Sequence, residues 1–360
     1  APIGPNSAAG TPDKHFDTVL YTGNVKERRI GGLNFQPDLV WLKTRGGDFH
    51  HAIFDSVRGV NKSIKPSNSG TEDTWTKQLM SFNSDGFTVG DNSDSGNYAN
   101  LSANNYVGWC WKAGNKTTEN NDGGISSTVS VNQDAGFSIV SYTGIGSNTN
   151  TGHGLNKAPE WIMFKALDDV YNWEVYHHKT GATPHQATLM LNSSDATRNV
   201  LHEAVTATTI PVTHTYTGGS ASGKRMIAYC WHSVEGYSKF GSYVGNGGSN
   251  GPFVYLGFKP ALVIIKHVSG SVGTTYTSWL MVDNKRDLDN PTTHHLWADE
   301  TVAEGKRGGG NSHSGDVGYV DFLSNGFKVR DTSSDELNDT SDTYIYMAWA
   351  EMPFKYATAR

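Results

Sequence analysis

The chain has 360 residues, 36% of them apolar and 18% charged, with 41 glycines and a formal net charge of −6. Such a length suits two or three domains, and basic residues that come at most in adjacent pairs, as at Arg28-Arg29 and Lys224-Arg225, exclude the electrostatic footprint of a nucleic-acid binder. No apolar run approaches the roughly 18 residues needed to cross a bilayer, which excludes a membrane-spanning helix and argues against a membrane partner.

Residues 1–14, beginning Ala1-Pro2-Ile3-Gly4-Pro5-Asn6, lack the basic region and apolar core of a signal peptide and read as a connector. From residue 15 the chain repeats itself. The first copy, 15–114, opens with Leu20-Tyr21-Thr22-Gly23-Asn24 and continues with Gly32-Leu33-Asn34-Phe35-Gln36-Pro37-Asp38-Leu39-Val40-Trp41-Leu42-Lys43. The apolar run after Pro37 predicts a strand buried on both faces, with the proline at its entry, where no ladder donor is needed. Phe82-Asn83-Ser84-Asp85-Gly86-Phe87 predicts a hairpin, because Asp-Gly supplies the positive φ of a primed turn. Tyr106-Val107-Gly108-Trp109-Cys110-Trp111 predicts the closing strand.

The polar stretch 115–134, rich in Gly, Asn and Thr, reads as a linker or long loop. The second copy, 135–235, repeats the opening at Ser141-Tyr142-Thr143-Gly144, the apolar strand at Pro159-Glu160-Trp161-Ile162-Met163-Phe164-Lys165 and the close at Met226-Ile227-Ala228-Tyr229-Cys230-Trp231. Its Asp-Gly hairpin is not legible. The third copy, 236–360, gives Ser242-Tyr243-Val244-Gly245, then Pro260-Ala261-Leu262-Val263-Ile264-Ile265-Lys266, Ser324-Asn325-Gly326-Phe327 and Tyr346-Met347-Ala348-Trp349-Ala350. Lys43, Lys165 and Lys266 each stand six residues after their proline, and Trp109, Tyr229 and Trp349 are spaced by 120 residues, which aligns the three closes on those positions. The expected fold is all-β, as three tandem β-sandwich (jelly-roll-like) modules, with a propeller as the competing arrangement. The two cysteines, Cys110 and Cys230, fall at equivalent positions and read as buried thiols.

No catalytic, cofactor-binding or metal residue is predicted. Gly218–Lys224 has phosphate-loop spacing, but Arg225 replaces the required Ser or Thr and a strand follows instead of a helix. Gly247-Gly248-Ser249-Asn250-Gly251 matches a nucleophile elbow in letters alone and joins two strands. The pairs His50-His51, His177-His178 and His294-His295 do not repeat with the modules, and neighbours on a strand point to opposite faces. The acidic turns Asp91-Asn92-Ser93-Asp94 and Asp331-Thr332-Ser333-Ser334-Asp335 offer oxygen ligands for calcium without the twelve-residue loop pattern. Among 10 tryptophans and 16 tyrosines, those at repeat positions belong to cores, which leaves Tyr98, Tyr171 and Trp297 as the exposed-loop candidates for ligand binding.

These motifs, together with His51-Ala52-Ile53-Phe54-Asp55-Ser56-Val57-Arg58-Gly59 and Glu235-Gly236-Tyr237-Ser238-Lys239-Phe240, resemble uncharacterised modules of virion-associated proteins from marine tailed bacteriophages. The resemblance spans nearly the whole chain and implies a non-enzymatic structural protein on the virion surface, a tail fibre or a head fibre or decoration. It implies other virion proteins and a host-surface glycan as partners, and a homo-oligomer, with weak contacts summed over copies. The alternatives are a purely architectural cementing protein and a polysaccharide depolymerase, which would need a paired-carboxylate cleft.

Overall fold

The computed structural model describes residues 10–352 except 92, 94–98, 182–186, 196–197, 200, 202, 214, 219–221, 270–277, 306–318 and 331–336. The described chain is all-β: its helical segments are two single 3-10 turns, Pro12–Lys14 and Thr215–Thr217, and none is long and apolar enough to cross a membrane.

Three antiparallel sheets share one strand order. In the first, the opening strand Phe16–Thr22 pairs with the closing strand Asn105–Trp111, which pairs with Leu39–Thr44 and then Ala52–Asp55. The second runs Phe137–Thr143, Arg225–Trp231, Trp161–Ala166, Glu174–His177, and the third Ser238–Val244, Thr343–Ala350, Pro260–Ser269, Leu280–Asp283. The segment 115–134, expected as a linker or long loop, instead contributes Thr118–Asn120 and Ser127–Asn132, which extend the second sheet beyond its opening strand. Its alternation of Ser and Thr with Val is a half-buried strand pattern that the surrounding Gly and Asn obscured.

The registers correct the alignment of the closing strands. Tyr21 faces Tyr106, Tyr142 faces Met226 and Tyr243 faces Tyr344, so the equivalent tryptophans are Trp111, Trp231 and Trp349, each five residues further on. The 120-residue spacing had placed Trp349 two residues away, level with Trp109 and Tyr229. A slip of two leaves every side chain on the same face, so the apolar pattern cannot detect it.

One face of each large sheet packs on a small outer sheet. Arg28–Ile30, Gly86–Val89 and Leu79–Asn83 cover the first, Thr149–Gly152 and Thr209–Val212 the second, and Phe253–Tyr255, Gly326–Val329 and Val320–Leu323 the third. Each pair of sheets encloses its own apolar cluster, two of which hold the buried free thiols Cys110 and Cys230. The opposite faces of all three sheets converge on a single further cluster that contains Trp41, Trp109, Trp111, Trp161, Trp231, Trp279 and Trp349. Separate sandwiches strung in tandem would have no such common core. The strands after Pro37 and Pro159 are buried along their whole length because they lie between the two interiors.

At the centre Trp111, Trp231 and Trp349 meet pairwise at ring-centroid distances of 6.2, 5.3 and 6.2 Å with interplanar angles of 66°, 70° and 72°. This edge-to-face triangle marks a pseudo-threefold axis. Ring edges rest on ring faces, which suits the aromatic quadrupole, and none of the three indole N–H groups has a hydrogen-bond acceptor among the described residues.

The opening strands of the first and third sheets are capped along part of their open edge. Asp17 accepts from the Thr18 N–H at 2.8 Å and Arg28 caps the Thr22 carbonyl at 2.9 Å, while in the third sheet Ser233 Oγ accepts from the Phe240 N–H at 3.1 Å.

Candidate functional site

Polar chemistry concentrates where the three repeats meet around the axis. Lys43, Lys165 and Lys266 occupy equivalent positions near one end of the shared core, and each reaches into the neighbouring repeat. Lys43 Nζ donates to the Thr301 carbonyl at 3.1 Å, Lys165 Nζ to Ser69 at 3.4 Å and Lys266 Nζ to Ser194 at 2.9 Å, so the ties run first to third, second to first and third to second. Each ammonium is almost fully buried, and burial pushes all three down to about 8.

A second set of ties uses carboxylates. Asp55 accepts from Arg58 Nε at 2.5 Å and from the Tyr229 hydroxyl of the second repeat at 2.6 Å. Asp283 accepts from Arg286 Nε at 2.6 Å and from the Trp109 indole of the first repeat at 3.1 Å. Tyr229 and Trp109 are register equivalents, so the same socket takes either donor. Arg58 and Arg286 each also bind a glutamate, Glu72 and Glu304, and each glutamate receives an arginine from the next repeat, Arg225 and Arg45. At the remaining interface His177 and Thr180 replace the Asp and Arg, and the facing position is Met347. Both sides of the tie are lost there together, as expected when a lone buried charge costs several kcal/mol.

The carboxylates are engaged by several donors each, and burial disfavours the charged form of the deep histidines. Burial keeps His51 and His177 well below the ordinary imidazole range and lowers His153 and His295 to about 4. No group of three His, Cys, Asp or Glu among the described residues could hold a metal.

The binding candidates fare unequally. Trp297, expected on an exposed loop, is 2% exposed in the short strand Leu296–Trp297 and packs against Tyr319 and His295, so it belongs to the third repeat's interior. A single tryptophan outside the repeat pattern looked like a loop residue, although it stands on an edge strand of the third sheet. Tyr171 is half-buried against the second repeat's core and meets Tyr216 edge to face at 5.7 Å. Tyr98 lies outside the described residues, as do Asn92, Asp94 and the whole turn Asp331–Asp335 offered for calcium. Of the first acidic turn, Asp91 is engaged by Lys77 at 3.0 Å.

Two surface residues escaped sequence reasoning. Phe253 and Tyr255 are 48% and 60% exposed, the only exposed aromatic side chains among the described residues. Their signal was the alternation Phe-Val-Tyr on a strand whose middle residue alone points inward. A groove of about 230 Å³ lies elsewhere, lined by Gln133, Asp134, Asn156, Lys157, His232, Val234 and Glu235.

A family model described as "Domain of unknown function (DUF7483)" matches residues 11–353. No curated protein matches the chain.

Proposed function

The chain belongs to this family of unknown function, and we propose that it is a non-enzymatic surface-display protein of the kind carried on virions. In this reading the three repeats form one stiff body that presents a small binding surface for weak, multivalent attachment to a host-surface glycan. The observation that carries it is the repetition of buried lysine and carboxylate ties at equivalent interfaces. A polar group that recurs in a symmetric frame serves the frame, whereas a reaction centre needs groups assembled once and left accessible. The resemblance to virion-associated modules supports the location, and the capped opening strands of the first and third sheets suit a protein displayed in many copies at high local concentration.

An electron-microscopic map of a particle that carries the chain tests the location, with density expected on the outer surface. A chain found inside the particle would defeat the proposal, and purified chain that releases oligosaccharides from a polysaccharide would defeat it in favour of the depolymerase. Density on the surface with no attachment to cells or glycans would leave the architectural cementing role.

A further inference from the structure

Phe253 and Tyr255 sit two residues apart on the edge strand of the third repeat's outer sheet, so both rings leave the same face about 7 Å apart along the strand. Between them Val254 is buried and anchors the strand on the local core. Lys239 donates to the Tyr255 carbonyl at 2.7 Å and holds its ammonium 5.3 Å from the centre of the Tyr255 ring. Lys328 stands opposite Phe253 in the register and is bonded to the Asn250 side chain. Two residues on, the chain turns at Gly257, whose φ of +88° favours glycine and leaves the Tyr255 ring uncovered on that side.

The corresponding places in the other repeats are different. In the first repeat the register puts Arg29 and Gly31 at these positions, and Arg29 is spent on Asp85. In the second repeat the outer edge strand is bridged by Ile125, whose neighbour Gly124 donates to Asn150 at 2.8 Å. Divergence has therefore left one open aromatic corner among the described residues.

We propose that this corner is a carbohydrate-binding site, in which the two rings stack on the C–H faces of pyranose units while Lys239 and Lys328 donate to sugar hydroxyls or a uronate carboxylate. The size of the patch selects the ligand class. Two partly exposed rings offer on the order of 200 Å² of contact surface, whereas a stable protein partner needs roughly 800 Å² on each side. Lysine and asparagine donors beside an isolated ring pair also suit a ligand that is apolar on its ring faces and rich in hydroxyls at its edge.

The site deepens the proposed attachment function and rests on it, so the test separates the two. Purified full chain, and its variants Phe253→Ala, Tyr255→Ala and Leu288→Ala, are titrated by calorimetry and on a printed array with hexasaccharides of glucose, galactose, N-acetylglucosamine and a uronic acid. Leu288 is an exposed aliphatic residue at 72% and serves as the control. The expected result is binding by the parent chain, loss of about tenfold for each aromatic variant, the scale of one stacking contact, and no change for Leu288→Ala. All variants should keep the parent's thermal midpoint. Parent binding that survives both aromatic substitutions would overturn this site while the attachment function stands. Absence of any parent binding across the array would overturn both.

Discussion

Replacing Lys165 with Met should change the chain's stability by an amount that depends on pH in a calculable way. Lys165 is fully buried, and burial lowers it from 10.5 to about 8. A gap of about 2.5 units corresponds to roughly 3 kcal/mol at about 1.36 kcal/mol per unit. The unfolded lysine keeps its proton up to 10.5, while the folded one releases it from about 8. Between those values the unfolded state therefore binds more protons, and stability rises with pH. Below 8 the parent carries the full cost of a buried ammonium; near 10 it has shed most of it. Methionine matches the stem's length and removes the charge, but it abandons the bonds to Ala166 at 2.7 Å and Ser69 at 3.4 Å, which costs about 1–3 kcal/mol at any pH. At pH 7 the two terms nearly cancel and the variant should be close to the parent. At pH 10 it should be less stable by a further ~2–3 kcal/mol. Urea midpoints at pH 7 and 10 measure the difference, and Lys43→Met and Lys266→Met should repeat it. A gap between parent and variant that does not widen with pH would refute the buried-ammonium account.

The matched pair Trp109→Phe and Trp111→Phe deletes the same atoms from one strand. Trp109→Phe should cost about 1–3 kcal/mol more in denaturant unfolding, because it strips a donor from the buried Asp283 while Trp111 has no acceptor to lose. Acid should weaken the fold through its histidines. His153 and His295 are lowered by burial to about 4, so the unfolded state takes up protons first and stability falls between about pH 6.5 and 4, by up to ~3 kcal/mol for each. Thermal midpoints should drop across that window and recover in part for His295→Gln.

Much of this was written in the sequence, and some of it could not be. The proline-to-lysine spacing located the strands that lie between two interiors, and the equivalent positions of Cys110 and Cys230 foretold their burial. The spacing also singled out the three lysines, but a lysine after an apolar run ordinarily lies at a surface; only the neighbouring repeat's carbonyls make burial tolerable. Contacts between repeats leave no periodicity in either partner, which is why the common core was missed. In the second repeat the absent Asp-Gly hairpin corresponds, among the described residues, to an outer sheet of two strands, Thr149–Gly152 and Thr209–Val212, where the other repeats show three. The expected exposure of Trp297 failed for a related reason: departure from the repeat was taken as a sign of exposure, and there it marks a repeat-specific interior.

The shared core bears directly on how the chain folds. A single repeat could close its own small sandwich, but the other face of its large sheet would stand in water with Trp41, Trp109 and Trp111 uncovered, or with Met163, Tyr229 and Trp231 in the second repeat. Each such side chain contributes roughly 1.5–3 kcal/mol through burial, so the exposed face forfeits as much as a whole small domain ordinarily retains in net stability, about 5–15 kcal/mol. Asp55 and Asp283 would in addition lose the donors that arrive from the next repeat. The three segments are therefore expected to unfold together. Calorimetry of the full chain should give one transition whose van't Hoff and calorimetric enthalpies agree, and residues 15–114 expressed alone should show no cooperative unfolding. Three resolved transitions, or a first repeat that melts sharply by itself, would mean that the convergence of the sheets on Trp111, Trp231 and Trp349 contributes little to holding the molecule together.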